Sequence, residues 1–230
     1  MTRLLAIETS SEACSVALSV GGELSSREYH EPRRHAELLL PAVRDLLAEG
    51  GITLTDLDAI AFGRGPGSFT SLRIGIGVVQ GLAWGAEVGV VPVASLAALA
   101  LGGARRHGGD PETTVITAMD ARMSEVFHAR YRVSAGNQVT LCDEEAVSAP
   151  AEVDLEPAAD LIGAGNGFER YPELARRAGS LAAVYADLWP SAVEVAALAE
   201  EWLKSKQPLP AHRAQPVYIR DHVAEKPTGD

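Results

Sequence analysis

Apolar and polar positions change period several times along this chain. "LLAIETS" is a continuous apolar run that ends in an acid and small hydroxyl residues. "ACSVALSV" follows, then a Gly21-Gly22 turn and the stretch "ELSSREYH". Short runs joined by tight turns predict a three-strand antiparallel meander. At His35 the pattern becomes helical: in "HAELLLPAVRDLLAEGG", Leu39, Ala42, Val43, Leu46 and Leu47 share one face. Gly50-Gly51 stops that helix, and Pro41 is expected to bend it or mark its first turn. "LDAIAFG" predicts a buried strand, Thr70 to Gly85 a helix, "GVVPV" another buried strand and "SLAALALGGARRH" a further helix.

The second half opens the same way. "TTVITAMDAR" is an apolar strand ending in an acid, "EVFHARYRV" alternates as a strand, and "QVTLCDEEAV" predicts a third. "ADLIGAGNG" gives a strand and glycine turn, and "AVEVAALAEEWLKS" an amphipathic helix. Glu8 and Asp120 fall in matching places. The pattern predicts an α/β protein with mixed sheets in two related lobes. They are expected at residues 1–107 and 108–221, with a linker near "RRHGGDPE" and a polar tail over 222–230. Such lobes look like the duplicated actin-like, ribonuclease-H-like arrangement, in which a nucleotide sits between lobes with its phosphates near the first hairpin.

Composition narrows the function. The chain has 230 residues with 47% hydrophobic and 22% charged, as expected of a globular protein. A net charge of −11 and 5% aromatics argue against a nucleic-acid footprint or a base-stacking platform. Cys14 and Cys142, the two cysteines, suggest neither a disulfide framework nor a zinc site, which fits a reducing cytoplasm. The N-terminal apolar run is too short for a signal peptide, and Pro92 interrupts the nearest thing to a membrane segment.

Two segments could carry chemistry. The hairpin turn "AIETSSEACS" offers amides and hydroxyls to a phosphate, and Glu8 could hold a hydrated magnesium ion. An ordinary hairpin with Thr9, Ser10 and Ser11 satisfying their own turn is the competing reading. In "GRGPGSFTSLRIGIG", Gly65 and Gly67 permit unusual backbone, and Ser68 or Thr70 can cap the following helix. A helix N-terminus can take an anion, yet no "GK[ST]" closes this turn as a P-loop would. The nucleotide or phosphate vicinity is therefore expected around Glu8, Thr9, Ser10, Gly65, Gly67 and Ser68. Gly77, Gly81 and Gly85 recur every fourth residue, flanked by Leu72, Ile76 and Val79. Glycine in a helix costs about 1 kcal/mol against alanine, so close helix approach must be what it gains. That approach is either to the sheet or to a partner, as part of a two-helix docking face. The six histidines form no HxxxH or HExxH pair, and no nucleophile motif is present.

Four segments, "LLAIETSSEACSVAL", "GRGPGSFTSLRIGIGVVQGLAWG", "MDARMSEVFHARY" and "QPVYIRDHV", stand together in the order and spacing of one family. They resemble the bacterial TsaB family, formerly YeaZ, of the actin-like ATPase superfamily, over nearly the whole chain. The resemblance implies a non-catalytic partner in threonylcarbamoyladenosine synthesis on tRNAs reading codons that begin with A. In that system a paralogue, TsaD, binds metal and transfers the group, and a small ATPase, TsaE, docks on the pair. The resemblance implies no cofactor of this chain's own: ATP or ADP and metal go with the partner subunits, and tRNA is met only through the complex. TsaD-like proteins carry HxxxH where this chain has Ser95 and Leu99. The family's docking surface maps onto His35, Leu38, Leu39, Val43 and Leu46 of one helix and Leu72, Ile76, Val79 and Gly81 of another. An apolar face there also permits a homodimer when the partner is missing. The chain departs from the family at Ser71 and Ser124, where glycines are common, and at Glu8, where the superfamily often has Asp. An actin-like small-molecule kinase, using Glu8 or Asp120 with magnesium and "LIGAGNG" at the adenosine, is the alternative. A peptidase, a label this superfamily branch has carried, is a third reading against which the missing ligands and nucleophile count.

Overall fold

The computed structural model describes residues 2–108, 112–156 and 161–219. The middle of the expected linker and the tail from 222 lie outside the described residues.

The first sheet contains β1 (Leu4–Glu8), β2 (Cys14–Val20), β3 (Glu23–Tyr29), β4 (Ala59–Gly63) and β5 (Gly89–Val93), in the order β3-β2-β1-β4-β5. β1 runs antiparallel to β2 and parallel to β4, and β4 is parallel to β5. Three helices belong to this half: α1 (His35–Glu49), α2 (Phe69–Ala86) and α3 (Ser95–His107). The second sheet holds β6 (Glu112–Arg122), β7 (Glu125–Ser134), β8 (Gln138–Leu141), β9 (Ala146–Ser148), β10 (Leu161–Ala164) and β11 (Ala183–Tyr185). With it come α4 (Gly167–Arg170), α5 (Pro172–Arg177) and α6 (Ala192–Leu203). Its order is β11-β10-β6-β7-β8, with β9 also on β7. Read from the third meander strand, the two sheets repeat one plan: three antiparallel strands, then two parallel ones. The fold is the duplicated, actin-like and ribonuclease-H-like α/β arrangement.

Both faces of the first sheet are covered, which is why β1 and β4 are continuously apolar instead of alternating. On one side Leu39, Val43 and Leu46 of α1 and Ile76 and Val79 of α2 meet Leu5, Ile7, Val16, Ile60 and Phe62. Each such side chain contributes roughly 1.5–3 kcal/mol by leaving water. On the other side the halves exchange helices. α6 lays Ala192, Val195, Ala196 and Ala199 on Leu4, Ala6, Ala61 and Val91. α3 packs Leu96, Leu99 and Ala100 against Val115, Tyr131 and Ile162 of the second sheet. A Cβ at Gly103 would lie 2.9 Å from Ala164, so glycine sets how closely α3 approaches β10.

Beyond α6 the chain returns to the first half. Leu209 pairs antiparallel with Val90, and Ala214 is buried in the core under α1 and α2.

Three local expectations change. Pro41 lies well inside α1 without ending it, because Pro41 and Glu37, whose carbonyl loses its partner, both face solvent. "QVTLCDEEAV" yields two short strands, β8 and β9, on one edge of β7. The Asp143 carboxylate takes the Arg130 amide at 2.8 Å between them and interrupts the ladder. The helix after the glycine turn ends at Ala86, one residue past Gly85, with Glu87 in the left-handed region.

Candidate functional site

β1 delivers Glu8 to the point where the first hairpin, the glycine turn and the start of α3 meet. The Ser10 amide donates to Glu8 Oε1 at 2.6 Å, and the Ser95 hydroxyl donates to Oε2 at 2.8 Å. The Ser95 oxygen in turn accepts the Gly65 amide at 3.2 Å, and the Ser95 amide donates to the Gly65 carbonyl at 3.0 Å. The Ser68 amide donates to the Ser10 carbonyl at 2.7 Å. Glycines make this fit: a Cβ at Gly63 would collide with the Glu8 carboxylate, one at Gly67 with the Ser10 carbonyl, and one at Gly75 with the Thr9 hydroxyl. From the far side, the Val217 amide donates to the Arg64 carbonyl at 2.8 Å, beside Gly65.

The six residues expected around a phosphate are thus brought together, but against one another. Glu8, Thr9, Ser10 and Gly65 are buried, Gly67 is half-buried and Ser68 exposed. Both Glu8 oxygens and the Ser68 amide already have partners inside the chain. Burial pushes the Glu8 carboxyl above the usual carboxylate range, against the pull of the Ser10 and Ser95 hydrogen bonds. Ser68 occupies the N-cap position of α2, but its hydroxyl meets Ser71 at 3.0 Å and caps no amide.

The matching corner of the second lobe is filled in the same way. Asp120 takes the Tyr171 hydroxyl at 2.6 Å and pairs with Arg122 at 3.0 Å and Arg170 at 3.8 Å. A Cβ at Gly165 would strike the Ala118 carbonyl, so the "LIGAGNG" turn packs on β6. Among the described residues no three His, Cys, Asp or Glu side chains converge as a metal site would need.

The expected docking residues divide. Leu39, Val43, Leu46, Leu72, Ile76 and Val79 are buried in the chain's own core, so their side chains do not present a surface. They lie on the faces of α1 and α2 that cover the first sheet, where helical periodicity alone would put them. His35 is buried too: its Nε2–H is shared between the Ser11 carbonyl at 3.1 Å and the Ala13 carbonyl at 3.3 Å, tying α1 to the first hairpin. Leu38 is half-buried and Gly81 exposed. Gly77, Gly81 and Gly85 have open space where a Cβ would stand, so the stripe faces away from the sheet, opposite Leu72, Ile76 and Val79. Trp84, 74% exposed, stands beside it. A groove of about 430 Å³ runs along Gly81, Leu82, Gly85 and Ala86, opposite Thr53, Leu54 and Thr55.

Sequence reasoning missed two contacts between the halves. Arg64 of the glycine turn pairs with Glu145 at 2.9 Å, and the Tyr131 hydroxyl donates to the same carboxylate at 2.8 Å. Arg122, the last residue of β6, pairs with Glu12 of the first hairpin. Periodicity gives no signal for such pairs, since they join residues 81 and 110 positions apart.

The family model for TsaD, tRNA N6-adenosine threonylcarbamoyltransferase, matches residues 24–228. The tRNA threonylcarbamoyladenosine biosynthesis protein TsaB of Escherichia coli (strain K12) is 39% identical over 228 residues, covering 97% of each chain. The chain belongs to the TsaB family. The Haemophilus influenzae TsaB is 34% identical, over 97% of this chain and 95% of its own. The solved structure of YeaZ from Pseudomonas aeruginosa superposes with a TM-score of 0.86 at 43% identity, covering 95% of this chain and all of that one. No helix among the described residues is long and apolar enough to cross a membrane.

Proposed function

We propose that this TsaB-family chain is the non-catalytic subunit that a TsaD-type transferase needs to form threonylcarbamoyladenosine, next to the anticodon of tRNAs reading codons that begin with A. It acts by docking on the transferase and activating it. One contrast carries the reading. The two corners where an actin-like protein would hold phosphate and magnesium are filled by the chain's own atoms, while the glycine stripe of α2 is left open. A carboxylate with both oxygens bonded internally is poorly placed to act on a nucleotide. A helix that carries glycines toward empty space gives up stability, and close approach of a second protein's helix would recover it.

The docking face consists of Gly77, Gly81, Gly85 and Trp84 of α2 with Leu38 and the exposed Leu40 of α1. Bound nucleotide and metal belong to the partner subunits, a TsaE-type ATPase joins the assembled pair, and tRNA is met through the complex. Without its partner the same face would pair with a second copy.

The deciding experiment is tRNA threonylcarbamoylation with TsaD, TsaE, the synthase, ATP, threonine and bicarbonate, with this chain added or omitted. Product should appear only when it is added, and Gly81→Arg should abolish that effect. Equal product without the chain would sink the proposal.

A further inference from the structure

The segment after α6 touches α2 along much of its length. The Gln80 side-chain amide donates to the Ala214 carbonyl at 2.6 Å, and Ala214 itself is fully buried. Three residues on, the Val217 amide bonds to Arg64, just ahead of the helix. Next, the Tyr218 hydroxyl accepts from Arg73 Nε at 2.9 Å. The Arg73 guanidinium lies 3.6 Å from the centre of the Phe69 ring, and the Phe69 and Tyr218 rings are 5.4 Å apart. Ile219 then packs against the core of the second sheet. Residues 209–219 therefore run from the edge of the first sheet, along α2 and over the glycine turn, to the other half.

We propose that this segment is a strap that fixes α2 and lends Tyr218 to its exposed face, so that the transferase docks on helix and strap together. The inference rests on the docking function proposed above and adds a second component to the surface. Phe69 and Arg73 continue the every-fourth-residue row of Gly77, Gly81 and Gly85, so the aromatic cluster is contiguous with the open stripe. Phe69 and Tyr218 are both about half exposed, and such rings with an arginine are the residue types that carry binding energy at interfaces. Among the described residues no carboxylate pairs with Arg73. Its guanidinium plane stacks on the Phe69 ring, its Nε donates to the Tyr218 hydroxyl, and its outer N–H groups form a fork suited to a carboxylate. The partner surface it fits therefore carries an acidic side chain opposite Arg73.

The test uses the full chain with Tyr218→Ala, Tyr218→Phe and Arg73→Ala, all at partly exposed positions. Affinity for the transferase and hydrogen exchange across residues 69–86 are measured together. Tyr218→Ala and Arg73→Ala should each weaken binding about tenfold or more, as loss of an interface anchor does. Tyr218→Phe, which keeps the ring and loses the hydroxyl, should cost only a few-fold, and Tyr218→Ala should speed exchange in α2. Wild-type affinity and wild-type exchange in Tyr218→Ala would overturn the strap. Binding of tRNA by the chain alone, lost in Arg73→Ala, would overturn it in favour of an RNA contact. If the wild-type chain does not bind the transferase at all, the docking function fails, and the exchange data alone decide whether the strap holds α2.

Discussion

The hydroxyl of Ser95 donates to the carboxylate of Glu8 at 2.8 Å, joining the first residue of α3 to the last residue of β1. The resemblance aligns Ser95 with a metal-binding imidazole of TsaD-like proteins. In this chain the position closes a hydrogen-bonded corner instead, because the same oxygen takes the Gly65 amide. Ser95→Ala would leave a buried carboxylate short of one donor and a buried amide without its acceptor. An unsatisfied buried group costs about 1–3 kcal/mol, so the midpoint of urea unfolding should fall accordingly, with an unchanged denaturant slope. A wild-type midpoint would mean that the corner is open to water.

Glu8 also gives stability a sign with pH. Its carboxyl titrates above the ordinary range because burial disfavours the charge. Below that ordinary range both folded and unfolded chains hold the proton, and its contribution is fully present. Between the ordinary value and the raised folded value the unfolded chain has released the proton while the folded one still holds it, so stability falls as pH rises and the loss is complete above the folded value. Glu8→Gln removes that dependence. Unfolding free energies across pH 4 to 8 should show the variant gaining on the wild type as pH rises. A gap moving the other way would mean that Ser10 and Ser95 outweigh burial.

The plan of the fold was legible because β1, β4 and β5 are short apolar runs between turn residues and α1 and α2 have a clear helical period. The duplication showed in the matched positions of Glu8 and Asp120. The proposed docking surface was less legible, because periodicity marks the face of a helix that leaves water without saying what covers it. Leu39 and Ile76 were expected at a partner and lie on the first sheet. The informative residues on α2 were Gly77, Gly81 and Gly85, whose poor helix propensity has no packing contact to offset it among the described residues. β11, α4 and α5 escaped because three to six residues give no period.

That lack of compensation makes an unusual prediction. Gly77→Ala, Gly81→Ala and Gly85→Ala meet no atom of the described residues within 4 Å and should each raise stability, by about 0.5–1 kcal/mol. Transferase affinity should fall in the same variants. Thermal unfolding and binding, measured side by side, would then move in opposite directions. Stabilisation with full affinity would remove the stripe from the interface.

The buried neighbours should behave in the contrary way. Leu39→Ala and Ile76→Ala empty space beneath the first sheet and should cost about 2–5 kcal/mol each. Any loss of transferase binding should then follow the unfolded fraction, and recover on cooling toward the temperature of maximum stability. Intact stability with lost binding would return these side chains to the surface.

Arg64 and Glu145 decide whether the glycine turn is tied to the second half by charge. The Glu145 side chain is 8% exposed and that of Arg64 25%, so water reaches one partner. Breaking a fully buried pair costs about 3–5 kcal/mol, and access to Arg64 discounts that to roughly 1–3 kcal/mol for Arg64→Ala. Tyr131 stays a donor in that variant, because burial and the Glu145 charge hold its hydroxyl protonated far above neutral pH. Glu145→Gln in the Arg64→Ala background removes the unpaired charge and should restore part of the loss. A double-mutant cycle in urea measures that coupling. A coupling near zero would mean that the Val93 and Val217 backbone bonds on Arg64 hold the turn without its side chain.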